Sequence, residues 1–169
     1  RINRAKVENF RLLRDVEIGF EARSTLIVGR NNSGKTSIAE LFRRLLSDRA
    51  IVFRLEDFSL GCHECFWNAL VAFRAQPDAA ETLDQLPVIR LVLDIGYDVD
   101  APDLGPLSEC IIDLNPDCAE ARLEFRFAPK AGALPILSAD FVEPLEDADA
   151  DRARFYRELG VRIASAYTG

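Results

Sequence analysis

What these 169 residues lack narrows the field first. No run of about 18 apolar residues occurs, so the sequence offers no membrane-spanning helix and no membrane partner is expected. The opening residues, RINRAKVENF, alternate polar and apolar side chains and hold no apolar leader, which makes a cytoplasmic location the default expectation. The chain starts at Arg1 without a methionine, which suggests a fragment. Internal repeats and low-complexity tracts are missing too. With 49% hydrophobic residues the chain can bury a core and is most simply one domain.

An excess of positive charge is also missing, since the net charge is −7. The imbalance is uneven. Residues 1–54 hold 12 Lys/Arg against 6 Asp/Glu, or +6, and residues 55–169 hold 9 against 22, or −13. The positive part suits a polyanionic ligand, and the acidic remainder argues against a strong DNA-binding surface on this chain alone. Much of that acid lies in EPLEDADAD, 143–151, which reads as a solvated loop leading into a helix. Cysteines are equally unhelpful. Cys62-His63-Glu64-Cys65 invites a zinc or redox reading, but Cys110 and Cys118 are eight apart and fall in strand-like sequence. No thioredoxin-like βαβ setting surrounds the motif, so ordinary reduced cysteines are the expectation.

What is present is one dense motif. Gly29-Arg30-Asn31-Asn32-Ser33-Gly34-Lys35-Thr36-Ser37 fits a glycine, four residues, then Gly-Lys-Ser/Thr. Before it, Thr25-Leu26-Ile27-Val28 is apolar without alternation, as expected of a strand buried on both faces. After it, Ile38, Leu41, Phe42 and Leu45 recur at helical spacing. Gly29 and Gly34 permit backbone angles and close approach that a Cβ would block. Successive N–H groups would then form an anion nest at the positive end of the helix. Lys35 would reach the β- and γ-phosphates as the catalytic cation, and the Thr36 hydroxyl would ligate Mg²⁺. The expected ligands are therefore ATP and Mg²⁺, held by residues 29–37.

Along the chain, two strand-like stretches, 2–10 and 12–20, precede the loop and meet at a polar junction. Region 1–48 thus reads as hairpin, phosphate-loop strand and helix, ending at Ser47-Asp48-Arg49. Region 49–86 is a connecting segment, with Ile51-Val52-Phe53, LEDFS and a helix over 63–76. Region 87–130 carries a long strand (87–97) and a hairpin of 109–114 with 121–128, in which Leu123, Phe125 and Phe127 alternate with Glu124, Arg126 and Ala128. Region 131–169 is a loop and a helix over about 149–166.

Two strands ahead of the loop are unusual for a small-molecule kinase or a GTPase. Neither Asp-x-x-Gly nor Asn-Lys-x-Asp occurs, which sets the GTPase aside, and acidic strands stand where a kinase needs an arginine-rich lid. Instead, VENFRLLRDVEIGFEARSTLIVGRNNSGKTSIAELFRRLL resembles the opening of ABC-type ATPase heads of the RecF and SMC kind, and most of all the OLD-family ATP-dependent endonucleases. The Asn9-Phe10-Arg11 strand end, the Gly-x-Asn-Asn-Ser-Gly-Lys loop and Leu55-Glu56-Asp57-Phe58 carry the likeness. It implies an α/β P-loop NTPase of ABC-ATPase type, here an N-terminal lobe with a mixed parallel core and an antiparallel β subdomain. It also implies that Arg11 approaches the nucleotide, although an exposed strand-end arginine reads as well there. Arg30, although inside the loop, and Arg43-Arg44 read better as ordinary surface charges.

In such a family, two heads sandwich ATP, each lending the other a Ser-Gly-Gly signature, and an apolar strand ends in Asp-Glu for Mg²⁺ and water. This chain has no Ser-Gly-Gly and no glutamine after Gln85. Its nearest acidic strand ends, Asp94 and Asp113, lack the following Glu and sit in strand-like sequence. The resemblance therefore implies a parent that is a homodimeric, DNA-directed ATPase, with any nuclease domain or subunit outside this chain. A non-enzymatic ATP-gated scaffold subunit is the alternative, with a P-loop small-molecule kinase behind it.

Overall fold

The computed structural model describes residues 1–45, 51–77, 84–98 and 119–169. The expected strand 109–114, with Cys110, Cys118 and Asp113, lies outside the described residues. So does the break at Ser47-Asp48-Arg49.

Two strands open the chain, β1 (Ile2–Phe10) and β2 (Leu13–Gly19), paired antiparallel and closed by a turn at Arg11 and Leu12. Helix α1 (Lys35–Leu45) springs from the phosphate loop. A single 3-10 turn, Leu55–Asp57, leads into α2 (Leu60–Ala75), and β3 (Ile89–Gly96) and β4 (Glu120–Pro129) follow. The chain then forms α3 (Ala133–Ser138), α4 (Ala148–Ala166) and the two-residue β5 (Tyr167–Thr168). The sheet order is β2-β1-β3-β4-β5, and every pairing is antiparallel.

Alternation along the strands decides which face is dry. Ala5 and Val7 of β1 and Ile89, Leu91, Leu93 and Ile95 of β3 point into one buried cluster, joined by Leu41 of α1. The opposite face is a lattice of ion pairs. Arg4 and Arg122 both hold Asp94, Lys6 holds Glu8, and Arg90 holds Glu124. Because cations and carboxylates there neutralise one another, this face presents no block of positive charge. Beneath the sheet, aromatic rings knit the elements together. Phe58 meets Phe66 at 5.2 Å and Tyr167 at 5.6 Å, and Phe127 stacks on Tyr167 at 5.2 Å.

Three expectations change. The segment 25–28 is not a buried strand. It pairs with no strand of the described residues, and Leu26 and Val28 are 86% and 78% exposed. An apolar run becomes a buried strand only if another strand lies beside it, and the described sheet ends at β2. The mixed parallel core is accordingly absent from the described residues. The acidic stretch 143–151 is not wholly solvated: Asp147 caps α4 through bonds from the Asp149 and Ala150 amides, and Asp151 is 1% exposed against Arg74 of α2. Finally, α3 and β5 complete the end of the chain; Pro135 sits in the first turn of α3, where its missing N–H costs nothing.

Candidate functional site: the phosphate loop

The loop is built by local backbone geometry. Asn32 and Gly34 are left-handed, at φ 62° and 89°, which an Asn tolerates and a glycine adopts freely. A Cβ on Gly29 would stand 2.6 Å from the Ser33 hydroxyl, and one on Gly34 would stand 2.9 Å from Cδ2 of Leu13. The buried Leu13 and the positive φ both favour glycine at 34, while at 29 a Cβ would have to turn the exposed Ser33 aside. Helix α1 begins at Lys35, and Ile38 donates its N–H to the Gly34 carbonyl at 3.0 Å. The amides ahead of it are those a helix leaves without an internal partner, at its positive end. No acidic residue occupies that first turn to compete for them.

Leu12 and residues 31–37 line a cavity of about 250 Å³. Lys35 is folded across it: Nζ donates to the carbonyls of Gly29 and Arg30, each at 2.6 Å, and to the Ser33 hydroxyl at 3.2 Å. The loop thus already holds its cation against its own first two residues, Gly29 and Arg30. Thr36 and Asn31 to Ser33 are exposed and Ser37 is buried. A family model for the AAA ATPase domain matches residues 1–142. The chain belongs to that family. No curated protein and no solved structure matches it.

In this AAA ATPase domain Asn31 to Ser37 line the loop cavity and the Gly29 and Arg30 carbonyls accept from Lys35, while the other candidates lie elsewhere. Arg11 turns to Asp57, its Nε and Nη2 donating to Oδ1 at 2.9 and 2.8 Å. Arg43 and Arg44 grip Glu40 on α1, and Arg44 also reaches Asp57. The Arg43 and Arg44 bonds hold Glu40 down to about 2 against some desolvation. Burial alone would raise the Asp57 carboxyl, but bonds from Arg44, the Arg54 amide and Arg11 outweigh it and keep it below the ordinary aspartate value. Asp94, one of the two candidate Mg²⁺ carboxylates, lies on the outer sheet face between Arg122 and Arg4, whose bonds also lower it.

Cys62 and Cys65 are free thiols on α2, where burial pushes Cys62 upward. Among the described residues no group of three or more His, Cys, Asp or Glu could hold a metal. No helix among them is long and apolar enough to cross a membrane. A second hollow, about 320 Å³, lies between α1 and β4, walled mainly by Leu41, Leu45, Phe53, Ile89, Leu91 and Phe127. Its charged lining residues, Glu124 and Arg126, pair with each other at 3.7 Å, and no helix N-terminus is among its walls. What sequence reasoning left without a role is Asp57, whose partners lie 46 and 13 residues away; the string Leu55-Glu56-Asp57-Phe58 was its one visible signal.

Proposed function

We propose that this chain is the ATP-binding part of a DNA-directed, ABC-type ATPase of the OLD, RecF or SMC kind. The observation that carries the nucleotide site is the cradle itself: two closely approached glycines, a helix N-terminus, and Lys35 poised over loop carbonyls. The polar lining fits a triphosphate. Residues 29–34 would wrap the phosphates with backbone N–H groups, Lys35 would neutralise their charge, and the Thr36 hydroxyl would hold Mg²⁺. When bound, MgATP supplies a phosphoanhydride whose cleavage can drive two heads together and apart.

Lys35 and the loop amides bind and orient the nucleotide and offset charge; they do not by themselves activate water. Among the described residues, the candidate carboxylate Asp94 and the buried Asp57 are each committed to two arginines. That commitment supports hydrolysis that depends on a second head. The charge-balanced outer sheet face supports DNA contact elsewhere in a longer, cytoplasmic parent, which could act in repair or phage defence with a nuclease domain or subunit.

The same committed carboxylates favour a second reading, an ATP-gated scaffold subunit that binds nucleotide without hydrolysing it. Calorimetry with MgATP tests the site. Lys35→Ala is expected to abolish binding while the circular dichroism spectrum is retained, and unchanged affinity would remove the assignment. Assays on the full-length parent separate the two readings. DNA-stimulated phosphate release together with ATP-dependent dimerisation supports the ATPase, and dimerisation without phosphate release supports the scaffold.

A further inference from the structure

The turn joining β1 to β2 overhangs the phosphate loop, and one buried carboxylate holds it there. Asp57 is 1% exposed. Besides the two bonds from Arg11, its side chain accepts from Nη1 of Arg44 at 2.7 Å and from the Arg54 amide at 3.1 Å. Its own carbonyl accepts the Arg11 N–H at 2.8 Å, and two residues on, Ser59 donates its N–H to the Asn9 carbonyl at 3.0 Å. The turn is therefore tied down on both sides of Phe10, which itself bridges to Phe58.

That tying is needed, because Asn9 and Arg11 are left-handed at φ 61° and 49°. An Asn tolerates such an angle, but an Arg adopts it rarely and keeps it where the surroundings hold it. The turn delivers Leu12 and Leu13 to Gly34. A Cβ there would lie 2.9 Å from Leu13 Cδ2 and 3.7 Å from Leu12 Cβ, and Leu12 also walls the loop cavity. Arg44, the second guanidinium on Asp57, stands in the last turn of α1, the helix that begins at Lys35. Asp57 thus joins what lies over the loop to what issues from it, while neither Asp57 nor Arg11 lines the cavity.

We infer, on the reading that residues 29–37 bind ATP, that Asp57 is a positioning residue for nucleotide binding. By gripping Arg11 and Arg44 together it sets how closely Leu12 and Leu13 approach Gly34, and so sets the shape of the phosphate cradle. The affinity of the loop for ATP depends on that link.

Calorimetry with MgATP on the whole chain tests this. If the wild-type protein fails to bind ATP, the nucleotide reading falls and takes the role of Asp57 with it. If it binds, Asp57→Asn and Arg11→Gln are each expected to raise the Kd roughly ten- to a hundredfold. The double variant should be no weaker than the worse single one, because the same link is cut twice. Should Arg11 touch the phosphates directly, Arg11→Gln weakens binding while Asp57→Asn, which frees the guanidinium, does not; that pattern overturns the assignment. A merely structural role lowers the melting temperature of both variants but leaves the Kd of the folded protein at the wild-type value, which overturns it too. If Asp57→Asn does not fold, amide exchange in nucleotide-free Arg11→Gln decides. Faster exchange across 29–37 than in the wild type supports the link, and unchanged exchange refutes it.

Discussion

Gly34→Ala asks the loop to accept a methyl group where backbone and packing both refuse one. At φ 89°, a side chain costs about 1 kcal/mol from the clash of Cβ with the neighbouring carbonyl. The new Cβ would also stand 2.9 Å from Cδ2 of Leu13, a side chain 2% exposed and so unable to swing into water. Forcing Leu13 off its rotamer adds about 1 kcal/mol. The total of about 2 kcal/mol can appear in either of two places. If the loop keeps its shape, the melting temperature falls by about 4–8 °C, at 2–4 °C per kcal/mol for a chain of this size. If the loop relaxes instead, stability is kept and ATP affinity falls about thirtyfold. Thermal melts and calorimetry with MgATP on the same preparation read both. Gly132→Ala is the internal control: its φ is 79° but nothing lies within 4 Å of the added Cβ. It should lose only the backbone term, about 2–4 °C, with ATP affinity unchanged. A Gly34→Ala protein that melts and binds no worse than Gly132→Ala would refute the reasoning.

Three further outcomes follow from the packing. Asp151→Ala strands Arg74, 12% exposed, without its 2.6 Å partner. Breaking such a pair should cost about 3 kcal/mol and lower the melting temperature by about 6–12 °C, and a loss under about 2 °C would count against it. Phe58→Ala removes a ring that touches Phe66, Phe127 and Tyr167; about 3–5 kcal/mol should disappear from the denaturant midpoint analysis with little change in the m-value. Acid should act late. Glu40 is held to about 2, and Asp57, Asp94 and Asp151 are held below the ordinary value. Folded values below the unfolded ones mean stability that is present at neutral pH and lost as pH falls through the folded values. Melting temperature should stay flat from pH 7 to 5 and drop between about pH 4.5 and 2; an earlier decline would contradict these pairings.

The phosphate loop was legible because everything it needs lies within nine consecutive residues. β1 was legible as 2–10 because Ala5 and Val7 alternate with charged residues between two apolar ends, and β3 and β4 because their inward residues recur at every second position. Helix α4 followed from its polar entrance and apolar spacing. What escaped depends on partners far along the chain. Asp151 reads as one more solvated acid until Arg74, 77 residues earlier, is brought to it. Asp94 reads as a possible metal carboxylate until Arg4 and Arg122 close on it from neighbouring strands. The segment 25–28 failed for a related reason. Its composition specifies a wish for burial, while burial itself requires a neighbouring strand that local sequence does not name.

That exposed segment runs straight into Gly29, so the nucleotide loop has α1 on one side and a segment paired with no strand of the described residues on the other. Any strand that comes to lie along 25–28 removes conformations from the loop before a nucleotide arrives, and the nucleotide then has less disorder to overcome. The two binding events become thermodynamically coupled. By whatever factor the strand raises ATP affinity, ATP raises affinity for the strand by the same factor. Occupancy of the cradle and company along its flank are then two readings of a single equilibrium.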